Sequence, residues 1–278
     1  AGLMVAVYPG AIGMSVLVLA EALFCPLMIA HLICWVRAWV GGATRVRVIW
    51  SVVGGMAAGL ATLARPSWLL FTPFVLILAV LFSVDRRRHI VIGIGMVLAI
   101  CLTMTPWWIR NYRAVGRFVP TTLQVGASLF DGLNERATGA SNMFFSDSSY
   151  EAQKQEDALA NRSAVGFEIR LDRRLRDAAT GWAKEHPSEV LGLMVQKFTR
   201  MWNVWPNASE FRAWKIRLAV AVGFIPLLAL SVAGTWVWGR RGWPYLLCLL
   251  PAIYFTGLHL VFVSSVRYRQ PAMLAWVV

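Results

Sequence analysis

The sequence predicts an all-α polytopic membrane protein with an extracytoplasmic mixed or helical loop domain. Of its 278 residues, 58% are hydrophobic and 15% charged, whereas a soluble domain carries about a quarter charged residues. Apolar runs recur that are close to the roughly 20 residues a spanning helix needs. One long polar stretch, Arg110 to Arg217, separates two groups of such runs. With a mean hydropathy of +0.59, this pattern excludes a cytosolic enzyme, a DNA-binding module and a small disulfide scaffold. The organisation expected is 1–109 as N-terminal membrane helices, 110–217 as the soluble loop domain and 218–278 as C-terminal membrane helices.

Ala1 to Val7 reads as the tail of a span closed by Tyr8-Pro9-Gly10. With no initiator Met, the chain is expected to continue upstream of residue 1, and for a similar reason past Val278. The run Ala11 to Val36 follows, long enough to span with tilt. Val48 to Ala64 ends at Arg65-Pro66, and Ser67 to Val84 stops at Asp85-Arg86-Arg87-Arg88. Ile90 to Ile109 is expected to be broken near its end by Pro106. After the polar stretch come Leu218 to Trp238 and Trp243 to Val263, then a last partial run beyond Pro271.

Charge orients these spans. The connections at Arg37/Arg45/Arg47, at Asp85 to Arg88 and at Arg240/Arg241 carry +3, +2 and +2, and all fall on one side if every run crosses. The positive-inside rule makes that side the cytoplasm and puts the polar stretch outside. The loop holds 16 basic and 12 acidic residues, so much of the chain's +13 is an orientation signal and not a nucleic-acid footprint. Within the loop, Val119 to Ser149 reads as irregular or short-stranded and Glu151 to Lys184 as helical. His186-Pro187 ends that helix. Pro187 opens another running to about Trp205, apolar on much of its surface and expected at the membrane interface or on the span bundle.

Few residues are placed for chemistry. Glu21 is the one acid in the early spans, either bonding a neighbouring helix or lining a cavity. Arg65, Arg110 with Arg113, and Arg267 with Arg269 sit where spans meet the outer interface. Guanidinium groups there either grip a phosphate bidentately or snorkel to head groups. Asp131, Asn134 and Glu135 lie in a glycine-bearing turn. His31, His89, His186 and His259 lack metal-ligand spacing, and Cys25, Cys34, Cys101 and Cys248 all lie in apolar segments. Gly55 and Gly59 form a small-xxx-small pair for close helix packing. Asn161-Arg162-Ser163 and Asn207-Ala208-Ser209 match a glycosylation acceptor pattern.

The segment Thr105-Pro106-Trp107-Trp108-Ile109-Arg110-Asn111-Tyr112, then Gly116-Arg117-Phe118-Val119, the Gly126 to Asn134 loop and Ala137-Thr138-Gly139 together resemble bacterial glycosyltransferases related to protein mannosyltransferases and aminoarabinose transferases. Ser15 to Leu23, Gly59 to Pro66, His186-Pro187, Lys197-Phe198 and Arg267-Tyr268-Arg269-Gln270-Pro271 follow the same order. The resemblance implies a GT-C fold in a bacterial inner membrane. It also implies transfer of a sugar from a polyprenyl-phosphate donor to a lipid, protein or glycan acceptor on the outer face. Under it, Arg65, Arg267 and Arg269 would bind the donor phosphate, and Glu21, Arg110, Asp131 and Asn134 would line the acceptor side or cavity. The family's catalytic acid would lie upstream of residue 1. No cofactor is implied, and a divalent metal stays open. The rival expectations are a transporter or flippase of lipid-linked sugars and a non-catalytic membrane scaffold.

Overall fold

In the computed structural model the described residues are 8, 10, 12, 20–205 and 213–276. The expected span tail at Ala1 to Val7, residues 15–19 of the resembling segment Ser15 to Leu23, and Asn207-Ala208-Ser209 lie outside them. The described residues are helical, with no strand among them. In chain order the helices are α1 (Ala20–Val40), α2 (Thr44–Ala64), α3 (Phe71–Phe82), α4 (Arg86–Val115), α5 (Val125–Gly132), α6 (Ser146–Leu159), α7 (Phe167–Glu185), α8 (Pro187–Trp202), α9 (Trp214–Trp238), α10 (Trp243–Val261) and α11 (Gln270–Trp276). Among the described residues, five helical segments are long and apolar enough to cross a bilayer: α1, α2, α4, α9 with its 3-10 extension to Arg241, and α10. The chain is a multi-pass membrane protein. Leu98, Leu102 and Trp236 are exposed on these apolar helices, as lipid-facing side chains are.

The chain forms two compact units. One comprises the residues up to Pro106, Val204–Phe255 and those from Arg269 on; the other comprises Trp107–Asn203 and Thr256–Tyr268.

In the first unit α1 and α2 form an antiparallel hairpin. Gly54 lies on Cys34 of α1, while Gly55 and Gly59 lie on Met96 and Thr103 of α4. A Cβ on Gly55 would run into the Met96 carbonyl oxygen, so the small pair does bring two helix backbones into contact. Successive contacts of α2 with α4 (Ser51 on Gly95, Gly59 on Thr103) show the two helices parallel. The segment between them therefore returns to the starting end. It does so as a 3-10 turn, Pro66–Trp68, followed by the 12 residues of α3. That correction to the expected single run Ser67 to Val84 follows from Pro66, which opens a tight turn at Arg65. The returning segment begins beside Phe24 and His31, where Trp68 packs at 5.5 Å and 5.9 Å between ring centroids.

The other end of the segment meets the arginine-bearing connections. Arg88 donates to the Trp39 carbonyl and stacks over the Trp39 ring at 4.5 Å. His89 lies between Trp39 at 4.3 Å and Trp243 at 4.4 Å. The connections around Arg37–Arg47, Asp85–Arg88 and Arg240–Arg241 thus gather at one end of this unit, as the charge parity requires. The opposite end holds an aromatic core of Phe24, Trp68, Phe71, Tyr254 and Phe255, with Trp68 and Phe71 stacked at 3.9 Å.

Pro106 does not break α4, contrary to expectation. The helix continues to Val115, 30 residues in all. Beyond the proline, Trp107 and Trp108 donate their indole N–H groups to the carbonyls of Thr121 and Pro120 at 3.0 and 2.8 Å. The returning chain braces the last turns and offsets the backbone bond that proline removes.

The second unit has no strand among its described residues: 119–124 and 133–145 are irregular, one of the two forms expected for Val119 to Ser149, while Val125–Gly132 is helical instead. The glycine-bearing segment becomes α5 because its first turn docks on α7: the Asp172 carboxylate accepts the Gly126 N–H at 2.6 Å. A carboxylate satisfies an N-terminal amide that the helix itself cannot, and glycine is needed because a Cβ there would strike the Asp172 carbonyl. The single helix expected over Glu151 to Lys184 is two helices, α6 and α7. Asn161 at φ 46° and Gly166 at φ 84° turn the chain between them. Pro187 opens α8 as expected. Leu193, Lys197 and Met201 point inward, whereas Leu191, Val195 and Phe198 are exposed along the same helix.

Candidate functional site

The first unit contains three of the residues singled out in the sequence. Arg65 closes α2 and reaches back to Glu21 at the start of α1, with Nη1 and Oε1 3.0 Å apart. Glu21 is 1% exposed, and the Arg65 guanidinium lies 5.7 Å from the ring centroids of both Phe24 and Phe255. The pair therefore bonds two neighbouring helices within an aromatic collar. Arg269 belongs to the 3-10 turn Val266–Arg269 before α11 and is fully buried. Its guanidinium lies 3.5 Å from the Phe224 centroid and hydrogen-bonds the Tyr8 hydroxyl, which also bonds Gln270.

The second unit contains the others. Arg110, exposed on the last turns of α4, donates to Asn111 Oδ1 at 3.1 Å and stacks over Trp107 at 5.1 Å. It lines a cavity that also includes Tyr150, Lys154 and Asp157. Asp131 is buried at the end of α5 and is taken up by its own loop. It accepts Ser141 Oγ at 2.6 Å and the amides of Asn142 and Met143 at 3.0 and 3.1 Å. Asn134 donates to the Phe130 carbonyl and accepts the Arg136 amide, both at 2.7 Å. Both side chains shape the 130–143 turn. Arg110 is not among their partners. Arg267 is exposed, two positions before the buried Arg269 in the same turn. Glu21 with Arg65, and Asp131 with its loop, are the local groupings formed.

Lys197 was not singled out for chemistry in the sequence. It is fully buried in α8, and its ammonium donates to the carbonyl of Val261, the last residue of α10, at 2.7 Å. Ser264 extends the contact by donating its hydroxyl to the Lys197 carbonyl and its amide to the Gly139 carbonyl. A cation at a helix C-terminus is favourable, yet burial outweighs this and lowers the amine to about 8. The available signal was its i, i±4 spacing with Leu193 and Met201, which marks a lysine on an inward face.

Because the folded pKa lies below the ordinary 10.5, the unfolded chain holds this proton to higher pH. The Lys197 contribution to stability therefore increases as pH rises from about 8 to 10.5. Denaturation of wild type and Lys197→Met across that window is expected to show wild type gaining relative to the variant. Parallel curves would contradict this.

The histidines serve packing. His31 accepts the Trp68 indole N–H at 3.2 Å, and His259 stacks on Tyr268 at 4.1 Å. The four cysteines are free thiols. No group of three or more metal-ligating side chains of the His, Cys, Asp and Glu kinds occurs among the described residues. No family model, curated protein or solved structure matches the chain.

Proposed function

We propose that the chain belongs to a membrane glycosyltransferase of GT-C type. It would move a sugar from a polyprenyl-phosphate donor to an acceptor on the outer face. The observation that carries this reading is the placement in the membrane unit of Arg65, half-buried, and Arg269, fully buried. Both are held against aromatic rings, and Arg65 lies at the end of α2 away from the clustered basic connections. A polyprenyl tail needs lipid, and its phosphate needs guanidinium groups at the depth where the tail ends. With the basic connections inside, the positive-inside rule puts the residues after Val115 on the outer side.

An acceptor hydroxyl or amine attacks the anomeric carbon, the bond from that carbon to the phosphate oxygen breaks, and the phosphate leaves with its charge increased. Arg269 and Arg65 stabilise that growing charge, with Glu21 fixing the Arg65 orientation. The acceptor's proton passes to water as the new bond forms.

The test is incubation of the full-length protein with polyprenyl-phosphate sugars and identification of products by mass. Arg269→Ala is expected to lower turnover by about 100-fold or more, the usual cost of losing one transition-state donor, with helical content preserved. Undiminished transfer by that variant would refute the assignment.

A further inference from the structure

A second basic feature lies in the second unit. The turn after α4 (Gly116-Arg117), the α6 face around Glu156 and the first half of α7 enclose a cavity of about 570 Å³. Five arginines line it: Arg117, Arg162, Arg170, Arg173 and Arg174. It meets the cavity beside Arg110 and Lys154, sharing Val115, Arg162, Val165 and Gly166 with it. The two form one groove.

The carboxylates in the groove are largely committed. Glu156 receives Arg162 on one oxygen at 3.1 Å and Arg174 on the other at 2.9 Å. Asp157 receives Arg170 through Nε and Nη2, at 2.6 to 3.0 Å, together with Gln153 at 3.0 Å. The Arg170 guanidinium holds the Asp157 carboxyl below its ordinary range, so this anchor stays ionised at neutral pH. These pairs cancel charge and also aim the guanidinium planes, leaving outer N–H edges of Arg162 and Arg174 available to a further acceptor. Arg117 and Arg173 form no ion pair among the described residues, and Asp177 is a further carboxylate on the wall. An arginine fork set in this way matches the paired oxygens of a phosphate.

We infer that this groove is a binding site for a phosphate-bearing ligand, gripped by Arg117 and Arg173 with Arg162 and Arg174 as pre-oriented support. The cavity is large enough for a phosphorylated sugar or a lipid headgroup. The site stands independently of the transferase reading, because its occupant need not react.

The experiment titrates inorganic pyrophosphate into the full chain by isothermal calorimetry, in discs of phosphatidylcholine and in discs containing phosphatidic acid. Saturable binding is expected in phosphatidylcholine. It should weaken at least tenfold in Arg117→Ala/Arg173→Ala, whose side chains are exposed. Arg136→Ala, which removes a cation of the same unit outside the groove, should leave it unchanged. Weaker pyrophosphate binding in phosphatidic-acid discs would assign the groove to a lipid headgroup. Equal binding would assign it to a soluble phosphate, and either supports the site. No saturable binding to wild type, or equal binding to the double variant, would overturn it, whatever the outcome of the sugar-transfer assay.

Discussion

Replacing Glu21 by alanine is expected to destabilise the membrane unit by about 3–5 kcal/mol, the usual cost of leaving one member of a buried ion pair uncompensated. Arg65 would keep its charge at 11% exposure, between the rings of Phe24 and Phe255 and with its carboxylate gone. The double variant Glu21→Leu/Arg65→Leu is expected to recover most of that loss, since two apolar side chains of similar volume need no desolvation. Unfolding of the single and double variants in mixed micelles gives the comparison. If the double variant is as unstable as the single one, the pair is not what sets the stability there. The same variants separate stability from function, because a folded double variant without sugar transfer would show that Arg65 acts on substrate.

Asp131→Ala is the second large effect. Three donors from residues 141–143 converge on a carboxylate that is 3% exposed. Bonds to a charged acceptor contribute about 1.5–3 kcal/mol each, so losing three of them is expected to cost about 3 kcal/mol or more. Hydrogen exchange at the Asn142 and Met143 amides reads it directly: both should lose protection together. Asp131→Asn keeps an acceptor oxygen for those amides and should retain most of the protection. If Asp131→Asn folds normally yet abolishes sugar transfer, the carboxylate acts in the chemistry as well as in the turn. If both variants leave the two amides protected, the loop is held by something else.

The membrane helices were legible because each is a run of apolar residues whose length matches a bilayer, closed by arginine, proline or glycine. The gathering of three basic connections at one end was legible too, because parity leaves few ways to arrange alternating spans. Pro106 misled because the indoles of Trp107 and Trp108 find carbonyls 12 and 14 residues away, a tertiary contact that local rules do not contain. The same holds for α5, whose low helix propensity is overridden by Asp172, 46 residues further along the chain. The break at Asn161 and Gly166 was visible in residue type, since both tolerate positive φ, but charge patterning across Glu151 to Lys184 concealed it. The Glu21–Arg65 pair joins two membrane charges of opposite sign, and only coordinates show that residues 44 positions apart come together.

The transfer reading requires residues 116–203 to lie on the side of the membrane opposite the arginine connections. Single cysteines in a cysteine-free background, at exposed Val84 between α3 and α4 and at exposed Asn161 between α6 and α7, report this through a membrane-impermeant maleimide on intact cells. Val84→Cys is expected to label only after permeabilisation and Asn161→Cys without it. Labelling of both from the same side, or of Val84→Cys alone in intact cells, would contradict the orientation and with it an outer-face transferase.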